Sequence, residues 1–212
     1  MITVIGNWKM APEKHQEALT LFKKTLLLSK AYKKITFISC VPFIHLPFLA
    51  RYKQKSILLG AQDTAASAEV AQTGLIGTSM LASYGAKYCI VGHSEARQRG
   101  DADEHIAEKV QSLFQKKITP IVCVGEKERD AHGWYLSAVK DQVEKIVSTL
   151  SPQQVQRLII AYEPVWAIGK NAVRVATPLE CREMIIFIRR IIADAVGEKE
   201  AQKVHIVYGA LS

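Results

Sequence analysis

Glu163 is the residue whose sequence position most clearly indicates chemistry. It ends an apolar run of strand length, Leu158–Tyr162, and Pro164 follows it. Because a residue before proline is biased away from helix, we expect this carboxylate in extended backbone at the tip of a buried strand. Trp166 and Gly169 come next and predict an anchored, hinged loop. A carboxylate beside a loop that shuts out water can act as a general base, although a lone strand-end glutamate is usually only solvated.

Two further residues capable of chemistry follow other strand-like runs. His93 comes after Tyr88–Val91 and a glycine, and Lys9 comes after Ile2–Gly6. An imidazole can donate a hydrogen bond to a substrate oxygen, and an ammonium group can hold an anion. Each also has a plain interpretation, as a histidine satisfied within a turn and as a solvated lysine. Ser94-Glu95 predicts a short helix whose N-terminal amides would disfavour an imidazolium nearby.

The scaffold that must position these residues is a series of strand-then-helix units, which predicts a parallel sheet. Short apolar runs without alternation indicate strands buried on both faces. The predicted strands are Ile2–Gly6, Ile35–Cys40, Ile57–Ala61, Tyr88–Val91, Thr119–Val124, Leu158–Tyr162 and Val204–Val207. The predicted helices are Pro12–Leu28, Ile44–Tyr52, Thr78–Tyr84, Ala102–Gln115, Trp134–Leu150 and Pro178–Val196. A closed barrel and a doubly wound sheet fit this pattern equally, but no Gly-x-Gly-x-x-Gly or Walker pattern follows the first strand, which weakens a nucleotide-binding fold.

The composition predicts one ordinary globular domain, residues 1–212. Hydrophobic residues make up 49% and charged residues 23% of the 212, which suffices for one buried core. We expect no signal peptide and no membrane span, because no leader pattern or long apolar run is present. Four widely spaced cysteines predict reduced thiols in a cytoplasmic protein. The six scattered histidines show no metal-ligand spacing, so we expect no metal.

The net charge of +8 has three possible meanings. It could attract an anionic phosphorylated substrate, bind nucleic acid, or reflect a solvated lysine-rich surface. No aromatic interleaving or nucleic-acid module accompanies the basic residues. We therefore favour a solvated surface that also attracts anions, and expect no nucleic-acid or membrane partner.

Four motifs stand at the ends of predicted strands: Gly6-Asn7-Trp8-Lys9-Met10, Gly92-His93-Ser94-Glu95, Cys123-Val124-Gly125-Glu126 and Tyr162-Glu163-Pro164-Val165-Trp166-Ala167-Ile168-Gly169. Together they resemble the triosephosphate isomerase family. Each follows a predicted strand, and they occur in the family's order between residue 2 and about Tyr208. The resemblance implies a TIM (β/α) barrel. It also implies interconversion of dihydroxyacetone phosphate and D-glyceraldehyde 3-phosphate through an enediolate, in glycolysis and gluconeogenesis, without a cofactor.

The resemblance also implies roles for individual residues. Glu163 would be the catalytic base, His93 the neutral electrophile, and Lys9 the cation for the substrate phosphate and the developing oxyanion. The other implied positions are Asn7, Gly169 and Gly209 in contact with substrate, Glu95, Cys123 and Tyr208 behind the catalytic residues, and Pro164, Val165 and Trp166 in the hinge of a lid.

Two loops depart from the family's pattern. The lid segment from Gly169 to Pro178 is somewhat longer than the family's and lacks its second glycine. The third loop, Ala71–Gly74, keeps the Thr-Gly core with which family members dock into a partner subunit. However, Leu75 stands where glutamate is usual and Ala96 where arginine is usual. Because those two types pair across the usual interface, the matched loss predicts a homodimer or larger oligomer with a rebuilt interface.

The end of the sequence is the third departure. Barrels of this kind typically have about 250 residues and eight strand–helix units, whereas seven strands are predicted here. Tyr208-Gly209 continues with Ala210-Leu211-Ser212, and the eighth unit with its Gly-Gly phosphate loop has no counterpart. We therefore expect a barrel C-terminally shortened to about seven strands, with edges covered by imperfect closure or by an oligomer. A truncation would explain the same end.

Three functional hypotheses follow. The first is an atypically short isomerase whose phosphate cradle is weakened, since a lost oxyanion donor commonly costs a factor of about a hundred. The second is a weak or inactive family member that serves as an interaction or structural protein. The third is a different phosphosugar-binding barrel. The presence of Lys9, His93 and Glu163 together favours the first.

Overall fold

A computed structural model describes residues 2–52, 56–66, 72–169 and 172–209. The strands in these ranges are β1 (Ile2–Asn7), β2 (Ile35–Cys40), β3 (Ile57–Ala61), β4 (Tyr88–Val91), β5 (Thr119–Val124), β6 (Ile159–Tyr162) and β7 (His205–Tyr208). The α-helices are α1 (His15–Ala31), α2 (Leu46–Ala50), α3 (Thr78–Ser83), α4 (Ser94–Gln98), α5 (Asp103–Gln115), α6 (Trp134–Val147), α7 (Pro152–Val155), α8 (Pro178–Val196) and α9 (Glu198–Ala201). Val165–Ala167 forms a short 3-10 helix.

The chain divides into two compact units, residues 1–90 with 112–119 and residues 91–111 with 120–212. In the first unit β1 pairs with β2, β2 with β3, and β3 with β4, all in parallel and in chain order. The β1–β2 register runs from Ile2 opposite Ile35 to Asn7 opposite Cys40. It places the carboxyl end of β1, and the Lys9 loop that follows it, level with the end of β2.

In the second unit β5, β6 and β7 pair in parallel, with Val124 opposite Tyr162 and Tyr162 opposite Tyr208. The residues that follow these three strands therefore emerge at one edge of the sheet. All four residues of β6 are buried, as its unbroken apolar sequence predicts. Helices α6 and α8 pack against each other and bury one face each, which supplies the apolar cover of this unit.

The predicted strands are confirmed to within one residue at each end. The first helix begins later than predicted, at His15 instead of Pro12. Lys14 is extended, with φ −104° and ψ 142°, and the Pro12 carbonyl accepts a hydrogen bond from Nε2 of the buried His45 at 2.6 Å. A side-chain contact thus holds Pro12 outside the helix. The predicted short helix after His93 is confirmed as α4.

The succession of parallel strands in chain order, separated by helices, is that of a (β/α) barrel shortened to seven strands in the described residues. It confirms the predicted fold class. None of the described helices combines the length and the apolar character required to cross a bilayer.

Candidate active site

Glu163 lies at the carboxyl end of β6, as its sequence position predicts. Its backbone N–H donates to the carbonyl of Val124 at 2.8 Å, which continues the β5–β6 pairing past the strand end. The residue is only 6% exposed. Its Oε2 accepts a long hydrogen bond from the Ser94 N–H at 3.4 Å, and its Oε1 lies 3.6 Å from Nε2 of His93. The carboxylate is therefore buried, and its contacts with the described residues are long.

The His93 ring has a defined tautomer. Its Nδ1 accepts the backbone N–H of Glu95 at 3.2 Å, so that His93 caps α4 with its own side chain. The Glu95 carboxylate lies farther away, 3.7 Å from the same Nδ1. An amide N–H that donates to Nδ1 requires a lone pair on that nitrogen, so the ring with this contact carries its proton on Nε2, the nitrogen that faces Glu163.

Gly209 contacts the same carboxylate from the end of β7. Its N–H donates to the Tyr162 carbonyl at 2.8 Å and so belongs to the sheet pairing. A Cβ added at Gly209 would lie 3.0 Å from Cγ and 3.5 Å from Oε1 of Glu163. The position is thus beside the Glu163 carboxylate, and its amide is already used within the protein. Ala210, Leu211 and Ser212 lie outside the described residues.

Lys9, in the first unit, has an unusual backbone for a residue with a side chain. Its φ is 52°, in the left-handed region. The Lys9 N–H donates to Oδ1 of Asn7 at 3.0 Å, and Nε2 of Gln62 donates to the Lys9 carbonyl at 2.8 Å and to the same Asn7 oxygen at 3.2 Å. Asn7, predicted to contact substrate, therefore fixes the loop that carries Lys9. Gln62 shares this task, although no pattern in the sequence marks it.

A family model described as triosephosphate isomerase matches residues 2–211 of the chain. The triosephosphate isomerase of Clostridium botulinum (strain Langeland) is 38% identical over 209 residues, which are 97% of this chain and 83% of that protein. That of Endomicrobium trichonymphae is 39% identical over 208 residues, 96% of this chain and 81% of that protein. That of Corynebacterium efficiens is 36% identical over 214 residues, with shares of 97% and 80%. The chain belongs to the triosephosphate isomerase family. The predicted resemblance is confirmed.

A second buried carboxylate follows the end of β5, the strand next to the one that carries Glu163. Glu126 is 1% exposed, and its Oε1 accepts hydrogen bonds from Trp166 Nε1 at 2.7 Å, from the Tyr162 hydroxyl at 2.8 Å and from Arg129 Nε at 3.3 Å. Burial and then the negative charge of Glu126 raise the pKa of Tyr162 well above its usual value. Glu126 belongs to one of the four motifs, but no role was predicted for it. The sequence feature that could have indicated a role for Glu126 is its place directly after the glycine that follows a predicted strand.

The predicted hinge of the lid is joined by backbone hydrogen bonds to Glu126 and to Val173, which lies farther along the lid segment. Pro164 is buried, and the Val165 N–H donates to the Glu126 carbonyl at 3.0 Å. Trp166 is 6% exposed, and the Val173 N–H donates to its carbonyl at 2.8 Å. Gly169 is exposed, with φ 75°. Lys170 and Asn171 lie outside the described residues.

Arg97 also positions this site without having been predicted. Its Nε donates to the carbonyl of Gly92 at 2.8 Å and its Nη2 to the carbonyl of Cys123 at 3.2 Å, while Asp103 pairs with its Nη1. The loop that carries His93 is thereby tied to the end of β5. The Cys123 thiol is buried on β5, the strand next to β6.

Tyr208 and Glu95 lie at the exposed margin of their elements. The Tyr208 ring is 6.4 Å from the Tyr162 ring, and burial followed by the nearby Cys181 thiol raises the Tyr208 pKa. The Glu95 carboxylate is 48% exposed.

Within the described part of the chain, no three histidine, cysteine, aspartate or glutamate side chains form a group that could hold a metal ion. A cavity of about 530 Å³ borders the site, lined among others by Ser94, Glu126 and Val165.

Proposed function

We propose that this protein is a triosephosphate isomerase, interconverting dihydroxyacetone phosphate and D-glyceraldehyde 3-phosphate. The observation that carries the proposal is the pair formed by the buried Glu163 carboxylate and the Nε2 side of His93, 3.6 Å apart. It joins a base with an aligned neutral hydrogen-bond donor. Enolisation next to a carbonyl needs these two groups, one to take the carbon-bound proton and one to bind the oxygen that becomes negative.

The reaction then needs two proton transfers at carbon and the movement of a proton from one substrate oxygen to the other. A Glu163 oxygen takes a proton from the carbon next to the substrate carbonyl, and the electron pair moves to form the enediolate. The Nε2–H of His93 donates a hydrogen bond to the former carbonyl oxygen as its charge grows, gives that oxygen its proton, and takes up the proton of the neighbouring hydroxyl in exchange. The glutamic acid then returns its proton to the former carbonyl carbon, which completes the isomerisation without a net change in oxidation level. No covalent intermediate is required, and the Cys123 thiol has no part in it.

We propose Lys9 as the cation for the substrate phosphate and the developing oxyanion. Its left-handed backbone, held by Asn7 and Gln62, supports a fixed position for the ammonium group. Gly169, exposed and without a side chain, is proposed to offer its amide to the phosphate. For Gly209, whose amide is used by Tyr162, the close approach to Glu163 supports a role in leaving room for the base.

The test is turnover of D-glyceraldehyde 3-phosphate by the purified protein and by Glu163→Gln and His93→Gln. Removing the general base or the oxyanion donor is expected to lower kcat by roughly a hundredfold or more. Gly77→Ala, whose added Cβ meets nothing within 4 Å, is the control and should keep the activity of the unaltered protein. A well-folded but inactive wild-type protein would favour the interaction or structural protein instead.

We also infer that the protein self-associates. Exposed apolar side chains in the first unit support this, with Met10 at 94%, Ile44 at 68%, Leu75 at 52% and Met80 at 50%. The third-loop prediction falls partly on Ala71, which lies outside the described residues. Light scattering on a sizing column tests the inference, and Ile44→Asp is expected to shift the protein towards monomer. A wild-type monomer at all concentrations would contradict it.

Two further expectations stand as proposals. A single domain over residues 1–212 is supported by the unbroken family match from residue 2 to 211. A cytoplasmic location is supported by four free cysteines, three of them buried.

A further inference from the structure

Trp166, in the lid hinge, is held on its face as well as at its edge. Its Nε1–H donates to Glu126, and the guanidinium carbon of Arg174 lies 4.6 Å from the centre of its ring. A guanidinium at this distance over an indole makes a cation–π contact. The two residues stand on the two arms of the lid, which we define as residues 164–169 and residues 172–176. The backbone bond from Val173 to Trp166 joins the same two arms.

Arg174 also reaches out of the lid to α8. Its Nη1 and Nη2 donate to Oε2 and Oε1 of Glu180 at 2.9 and 2.6 Å, a bidentate pair. Glu180 is itself fixed, because its Oε2 accepts the N–H and the hydroxyl of Thr177 at 2.8 Å each in a capping box. Bonding to Arg174 and then to the Thr177 backbone holds the pKa of Glu180 well below its usual range. Glu180 is therefore a charged anchor, held by hydrogen bonds from both Arg174 and Thr177.

A second arginine connects this anchor to the hinge. Arg129 lies 3.6 Å from Oε1 of Glu180 through Nη1, pairs with Glu126 through Nε, and has its guanidinium carbon 5.7 Å from the Trp166 ring. Two carboxylates and two guanidinium groups thus form one network around the indole, with charges that cancel. Arg174 is the member of this network that belongs to the returning arm of the lid.

We propose that Arg174 is a positioning residue for the isomerase site: through the Arg174–Glu180 clasp and its stacking on Trp166, it fixes the returning arm of the lid to the hinge and to α8. This inference rests on the proposed function for its kinetic consequence but not for its structural one. The clasp lies in the segment where the lid departs from the family's pattern. It therefore explains how a longer lid without a second glycine is held in a defined geometry.

The kinetic experiment compares Arg174→Ala, Arg174→Lys and Glu180→Gln, singly and as the Arg174→Ala/Glu180→Gln double variant. Glutamine keeps the capping box with Thr177 but removes the charge. We expect kcat/KM to fall roughly three- to tenfold in Arg174→Ala, as losing an exposed bidentate pair and a stacking contact implies. Lysine should restore less than half of the loss, because it neither chelates nor stacks in the same way. The double variant should be no worse than Arg174→Ala, since both changes break one clasp.

Arg190→Ala is the matched control. Arg190 lies on α8 and pairs with Asp194 at 3.0 Å, away from the clasp. It should leave kcat/KM unchanged. Additive losses in the double variant, full rescue by lysine, or unchanged kinetics in Arg174→Ala would each overturn the proposal.

A readout independent of activity separates this inference from the proposed function. Amide hydrogen exchange of the ligand-free protein should show faster exchange at Val173 and across both arms of the lid in Arg174→Ala, and no change there in Arg190→Ala. Equal protection in wild type and Arg174→Ala would refute the clasp even in an active enzyme. Loss of protection in a protein that never turns over triose phosphate would uphold the clasp and count only against the proposed function.

Discussion

Replacing Gly209 by alanine should damage catalysis far more than stability. The added Cβ would lie 3.0 Å from Cγ of Glu163, whereas apolar carbons rest at about 3.5–4.0 Å. The contact with the Tyr162 carbonyl, at 3.6 Å, is ordinary. The strain therefore falls on one side chain, which must move by roughly half an ångström or more. Among the described residues its carboxylate is held by contacts of 3.4 and 3.6 Å, so it can yield without unfolding the site.

The magnitude follows from the geometric demands of proton transfer. A misplacement of about 1 Å can cost on the order of a hundredfold, so a shift of about half that should lower kcat roughly tenfold. We expect the free energy of unfolding to change by no more than about 1 kcal/mol, at the low end for overpacking. The measurements are steady-state kinetics with glyceraldehyde 3-phosphate and urea unfolding, with Gly77→Ala alongside. An unchanged kcat in Gly209→Ala, or a loss that merely parallels a loss of stability, would refute the reasoning.

Two further predictions concern a glycine next to the Glu163 backbone and a buried cysteine. Gly125→Ala would place a Cβ 1.9 Å from the Glu163 carbonyl oxygen, and because both positions are backbone, no side-chain movement can relieve the clash. We expect loss of activity and a fall of about 1–3 kcal/mol or more in the free energy of unfolding. Near-normal urea unfolding would contradict this. Burial raises the pKa of Cys40 to about 12 from its ordinary 9.0, so above pH 9 the unfolded chain gives up a proton that the folded protein keeps. Stability should consequently fall by up to about 1.4 kcal/mol per pH unit from this group as pH rises from 9 towards 12. Urea-unfolding midpoints measured from pH 8 to 10 should therefore vary less with pH in Cys40→Ala, and a pH dependence equal to that of the unaltered protein would contradict this.

The strands could be predicted from the sequence because their apolar runs are uninterrupted, and β6 is buried at every position. The pattern of apolar residues fits a barrel and a doubly wound sheet equally well, and only the four family motifs favoured the barrel. The predicted start of α1 was wrong because Pro12 suits a first helical position locally. The bond from His45, 33 residues away, holds its carbonyl elsewhere. The tertiary hydrogen bond from His45 therefore outweighs the local preference of Pro12 for a first helical position.

The positioning residues escape sequence-based prediction for a related reason. Gln62 and Arg97 act through hydrogen bonds to backbone carbonyls, which any sequence offers at every position. No residue type or spacing marks such an acceptor. Arg174 belongs to the atypical lid segment, but its partner Glu180 lies beyond the lid in α8. The sequence shows that the lid segment departs from the family's pattern. The structure is needed to show that Arg174, within that segment, pairs with Glu180.

The buried carboxylates of Glu163 and Glu126 show that contacts, and not burial, distinguish the proposed base from the carboxylate that supports the hinge. Glu126 and Glu163 each follow the end of a neighbouring strand, and their exposures are 1% and 6%. One oxygen of Glu126 accepts three hydrogen bonds, the shortest at 2.7 Å, and one donor is a guanidinium. Those bonds fix the carboxylate against the hinge, while its Oε2 is buried without a hydrogen-bond partner among the described residues. Among the same residues, Glu163 is met by donors at 3.4 and 3.6 Å, so its lone pairs stay available to a carbon-bound proton. The shared position on the sheet edge thus gives a hydrogen-bonded support for the hinge from one strand and, in the proposed function, the base from the next.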